Sequence, residues 1–163
     1  MAAESSFDIV SEYDRQELTN AIDQTEREIT TRYDLKATDT TIELAEETLT
    51  ITTDAEFTLK QVKDVLIGKF VRRGLDQRIL DWGKIEPASK GTIRTVAKLK
   101  KGIEQDLGRE VVKFLKSEAP KVRTQIQGDA VRVFAKSRDD LQTALQAVKG
   151  KDWPVALQFN NYR

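Results

Sequence analysis

Residues 122–136 read VRTQIQGDAVRVFAK, and the alternation within them decides the fold. Val122, Thr124 and Ile126 alternate with Arg123, Gln125 and Gln127; past Gly128-Asp129, Val131, Val133 and Ala135 alternate with Arg132, Phe134 and Lys136. Period-two patterning on both sides of a Gly-Asp turn predicts an antiparallel hairpin with one core side and one polar side. The polar side carries two arginines, a lysine, two glutamines and one aromatic ring, and no carboxylate. That side faces either water or a partner.

The hairpin has a counterpart 82 residues upstream. Leu44 aligns with Ile126, Leu49 with Val131, Ile51 with Val133, Leu59 with Leu141, Val62 with Ala144, Val65 with Ala147 and Leu66 with Val148, and Glu46-Glu47 falls on the Gly128-Asp129 turn. In each copy the alternation gives way to apolar spacings of three and four, so a helix follows the hairpin. Thr53 with Glu56, and Ser137 with Asp140, have the spacing of helix caps. Upstream of each hairpin lie a strand and another helix. FDIVSEY (7–13) leads to a helix with Leu18, Ala21, Ile22, Thr25 and Ile29 on one face, and GTIRTVAKLKK (91–101) leads to one with Ile103, Leu107, Val111, Phe114 and Leu115. ILDWGKI (79–85) and VALQFNNY (155–162) close the two copies as strands.

The order strand, helix, strand, strand, helix, strand, met twice, predicts an α+β chain of two tandem ferredoxin-like (βαββαβ) domains, residues 1–85 and 86–163. Each would have an antiparallel sheet with its helices on one face. EPASKG (86–91) reads as the linker.

Composition narrows the function. The chain has 163 residues with no cysteine and no histidine, which removes thiol nucleophiles, thiolate metal sites and histidine-based acid–base chemistry. No motif gathers carboxylates into a cleft, so no enzyme activity, metal or cofactor is expected. The absence of a long apolar run or a secretory leader reads as cytoplasmic, with no membrane partner. Net charge is zero, yet residues 1–85 hold 11 Lys/Arg against 18 Asp/Glu, and residues 86–163 hold 16 against 9.

The basic half is also the half with the unusual hairpin. The first copy shows Thr41, Glu43, Thr48, Thr50 and Thr52 on its polar side, the second Arg123, Gln125, Gln127, Arg132, Phe134 and Lys136. Arginines can hold phosphate or a guanine edge bidentately, amides can read base edges, and a ring can stack a base, so these six are the candidate nucleotide-binding residues. With a single ring the face lacks the paired aromatics of an RNA-recognition sheet. GKIEPASKGT (83–92) lacks phosphate-loop spacing, and Lys84, Lys90 and Arg94 are secondary candidates for phosphate contacts. Trp82 and Trp153 are read as packing residues, and Asp139 and Asp140 as helix-start acids.

FDIVSEYD (7–14), NAIDQTEREI (20–29) with RYDLK (32–36), GKIEPASKGT (83–92), KVRTQIQGDAVRV (121–133), RDDLQ (138–142) and LQFNNYR (157–163) together resemble the YajQ family of small bacterial proteins, essentially from end to end. The resemblance implies a cytoplasmic, non-enzymatic nucleotide-binding protein. Members are described as cyclic di-GMP receptors acting on transcription regulators, others as associated with RNA or purine nucleotides. It also implies that the two domains exchange their first strands, 7–13 joining the second sheet and 91–101 the first. Lys90 and Ala135 stand where many relatives are expected to have glycine. The expected ligand is cyclic di-GMP, with RNA (tRNA) second and a purely protein-binding adaptor third.

Overall fold

The computed structural model describes residues 4–163. In chain order the elements are β1 (Ser5–Val10), α1 (Arg15–Thr31), β2 (Thr41–Leu44), β3 (Thr48–Thr53), α2 (Glu56–Arg72), β4 (Leu80–Trp82), β5 (Glu86–Pro87), β6 (Ile93–Leu99), α3 (Gln105–Glu118), β7 (Arg123–Gln127), β8 (Ala130–Ala135), α4 (Arg138–Lys149) and β9 (Gln158–Asn160). The described residues thus form an α+β protein with four α-helices and two antiparallel sheets. None of the helices among them is long and apolar enough to cross a membrane.

The chain divides into two compact units. A central unit spans Tyr13–Lys100, and a terminal unit joins the residues up to Glu12 to Lys101–Arg163. The central sheet runs β2-β3-β6-β4, with β5 on β6, and the terminal sheet runs β7-β8-β1-β9. In each sheet the strand beside the hairpin comes from the other half of the sequence: β6 pairs with β3, and β1 pairs with β8. This order is consistent with two domains that have exchanged strands.

Each unit has its own core. In the central unit the α1 residues predicted to face inward, Leu18, Ala21, Ile22, Thr25 and Ile29, are all buried. They pack with Leu49 and Ile51 of β3 and with Leu59, Val62, Leu66 and Phe70 of α2. In the terminal unit Phe7 and Ile9 of β1 join Val131 and Val133 of β8 under Val111, Leu115, Leu141, Ala144 and Val148. The Trp153 ring is buried there, donating its indole N–H to the Val148 carbonyl at 2.9 Å and meeting Phe114 edge-on.

Local chemistry sets the element ends. Asp14 accepts from the amides of Gln16 and Glu17 to open α1, and Ser137 accepts from Asp139 and Asp140 to open α4, as its spacing predicted. Thr53 does not cap α2. The residue before that helix is Ala55, which has no side-chain acceptor, while the buried Thr53 hydroxyl shares a 2.8 Å bond with Thr40. The predicted linker is not a free connector either. Glu86 and Pro87 pair with Arg94 and Ile93, and Ala88 donates to the Thr92 carbonyl at 2.8 Å, because a sheet edge on β6 satisfies their backbone groups.

Candidate functional site

The pairing of β1 with β8 supplies what the hairpin lacks. Partners directly opposite in an antiparallel sheet share a face, and three rows of side chains therefore cross the terminal sheet on the face turned away from Val131 and Val133. The first row sets Arg123 against Phe134 and Phe134 against Ser6; the second runs Gln125, Arg132, Asp8 and Asn160; the third sets Gln127 against Ala130. Asp8 is the missing carboxylate.

Arg132 is fully engaged by it. Its Nε donates to Asp8 Oδ1 at 2.8 Å and its NH2 group to Oδ2 at 3.3 Å, while the Asn161 amide donates to Oδ2 at 2.9 Å. The Asp8 side chain is 9% exposed and that of Arg132 22%. The bond from Arg132 holds the Asp8 carboxyl below its usual range against the upward push of burial, with Asn161 adding to the lowering.

Arg123 is held differently. Its guanidinium lies 4.1 Å over the Phe134 ring, and its NH2 group donates to Glu4 at 2.8 Å. This pair is exposed, and such pairs contribute about 0–1 kcal/mol, so an incoming anion can replace Glu4 at little cost. Gln127 donates to the Gln125 carbonyl oxygen at 3.2 Å, which leaves N–H groups of both amides and the exposed Arg123 edge beside the half-buried Phe134 ring. Lys136 is exposed just past the end of β8. The face is thus open along β7 and closes toward β1, where Ser6, Asp8 and Val10 are buried.

The secondary candidates lie in the central unit, so no single sheet carries both sets. Lys84 and Lys90 are exposed, and Arg94 pairs with Glu86 at 3.7 Å. Lys90 has φ 58° and ψ 36°, the left-handed conformation that glycine adopts without strain, at a position where the resemblance predicts glycine.

Sequence reasoning missed Asp8, Asn161 and Glu4. An aspartate at an alternating position of β1 is a usable signal only once β1 is known to lie beside β8.

The exchange also changes the charge balance. The central unit holds 15 Lys/Arg against 16 Asp/Glu and the terminal unit 12 against 11, because β1 and its flanks bring acids to the basic half while β6 and its flanks take cations from it. Neither unit is a basic body.

The family model described as "Nucleotide-binding protein YajQ-like" matches residues 5–163. A protein of Trichormus variabilis named nucleotide-binding protein is 55% identical over 163 residues, covering all of both chains. Relatives given the same description from Nostoc punctiforme and a Picosynechococcus strain are 55% and 50% identical, again over the full length of both chains. The chain belongs to the YajQ family.

Proposed function

We propose that this protein is a non-enzymatic receptor for a purine nucleotide, cyclic di-GMP first among them, and that it acts through a transcription regulator. Each unit is read as a ferredoxin-like module with an exchanged first strand, and the receptor surface as the β7 side of the terminal sheet. The observation that carries the reading is the Arg123 guanidinium stacked on Phe134 beside the Gln125 and Gln127 amides. A guanidinium over a ring is a preformed flat platform for a nucleobase, its free edge can hold a phosphate or the guanine Hoogsteen edge bidentately, and the amides can address the base's polar edge. The names of the full-length relatives support a nucleotide as the ligand. The near balance of charge in each unit favours a ligand with two phosphates over a long polyanion.

Within this surface Arg123, Phe134, Gln125 and Gln127 contact the ligand, Lys136 adds charge at the rim, and Arg132 braces the sheet through Asp8. The test is calorimetry of the purified protein with cyclic di-GMP, GTP and bulk tRNA. Binding of cyclic di-GMP in preference to GTP supports the receptor reading, tighter binding of tRNA at physiological salt replaces it with an RNA-binding one, and silence with all three points to a protein-binding adaptor.

A further inference from the structure

In the central unit α1 and α2 pack side by side, and a hollow of about 580 Å³ opens between them. The residues that line it are all polar or charged. Four of the side chains are cationic, Arg27, Lys69, Arg72 and Arg73, and two are acidic, Glu17 and Glu28. Both acids are already occupied. Lys69 donates to Glu28 at 3.0 Å and Arg32 to its other oxygen at 3.3 Å, while Arg73 donates to Glu17 at 3.3 Å. The Lys69 bond in turn keeps the Glu28 carboxyl below its usual range, so its charge persists and stays paired.

The guanidinium groups of Arg27 and Arg72 have no such partner among the described residues, and both are exposed on the hollow. Gln24 accepts from Arg73 through its carbonyl oxygen at 3.4 Å, which leaves its amide N–H groups free. The lining therefore carries an excess of two positive charges and several unused donors, in a unit whose overall balance is slightly acidic. No aromatic or aliphatic residue lines the hollow; what it offers is fork-shaped donors for oxyanions.

We propose that the α1/α2 hollow binds a free, multiply charged phosphate of the pyrophosphate type, with Arg27 and Arg72 as its principal donors. A hollow confined to one nearly neutral unit is not a basic track, which is why a free anion is preferred to a phosphodiester chain. The hollow belongs to the central unit and the proposed nucleotide surface to the terminal one.

The experiment is calorimetry of the full chain with sodium pyrophosphate at low ionic strength. The wild type should bind, and Arg27→Gln and Arg72→Gln should each weaken binding about tenfold, with the double variant losing it and the melting temperature unchanged. Phe134→Ala, and Arg109→Gln on α3, both in the terminal unit, should bind pyrophosphate as the wild type does, and the double variant should keep its cyclic di-GMP affinity. Failure of the wild type to bind, full binding by the double variant, or loss in Phe134→Ala alone would each overturn the proposal. Tighter binding of a short RNA that is lost in the double variant would overturn the free-anion assignment.

Discussion

Arg132 and Phe134 sit two residues apart on the same face of β8 and have different neighbours, Asp8 for the one and the Arg123 guanidinium for the other. Removing the Arg132 side chain leaves a nearly buried Asp8 with only Asn161, so Arg132→Ala should lower the urea-unfolding midpoint near pH 7. The loss should depend on pH in a definite sense. Asp8 has a lowered pKa when folded, so the stability it adds is present above the unfolded carboxylate value and disappears as pH falls through the folded one. The gap between wild type and Arg132→Ala should therefore narrow as pH falls from about 5 to about 2. A gap that stays constant across that window would mean that packing, and not the ion pair, is responsible.

Phe134→Ala and Arg123→Ala should instead leave stability nearly intact and weaken nucleotide binding by about 1–3 kcal/mol each, through lost stacking and lost charge-assisted bonds. Wild-type affinity in both would remove the β7 edge from the receptor. At this scale the sequence was readable where a residue's partners are near in the chain, as with Ser137 and the alternating hairpin. It was not readable for Arg132, whose partner is 124 positions away.

The elements themselves were legible because periodicity is local. The α1 face, the hairpins and α4 all follow from spacings within one segment, and Leu141 is buried as its place on α4 requires. Leu141→Ala should cost about 2–5 kcal/mol of stability while nucleotide affinity per folded molecule is retained, as a cavity in the core demands. Thr53 shows the limit of such reading. Its spacing to Glu56 matches a cap, but a hydroxyl partner on the neighbouring segment, Thr40, competes for it, and burial at the end of β3 favours that partner. Choice of strand partner is hidden in the same way. β1 and β6 both alternate, so alternation alone fits either sheet; cross-strand complementarity, Asp8 with Arg132 above all, distinguishes them.

For the whole molecule, the compact units are not contiguous halves of the chain. A fragment of residues 13–100 contains every strand of the central sheet, whereas a fragment of residues 1–85 lacks β6, the strand between β3 and β4. The first should show a cooperative thermal transition by circular dichroism and the second should not; the opposite result would place the exchange elsewhere. Charge follows the same partition. With each unit near neutrality, the affinity for cyclic di-GMP should fall only gently with salt, with a log–log slope no steeper than about −2, because each phosphate contact on a strand contributes about −0.7 and the ligand has two phosphates. Titrations between 50 and 300 mM salt would measure it, and a much steeper slope would indicate a longer polyanion.

The pairing of β1 with β8 and β9 also orders events on the ribosome. β1 precedes β8 by more than a hundred residues, so during synthesis it emerges well before the hairpin strand it pairs with. At about 5–20 residues per second, a nascent chain would carry the Phe7-Asp8-Ile9-Val10 stretch unpaired for on the order of 6–25 s. The central unit, complete by Lys100, can close during that wait. An apolar strand with both edges vacant is a template for pairing with neighbouring chains, so newly made molecules on a crowded polysome are the state in which this protein is most exposed to misassembly. Holdase chaperones that bind short extended apolar segments would find their target in β1, and would release it to a sheet whose other strands all follow Lys121.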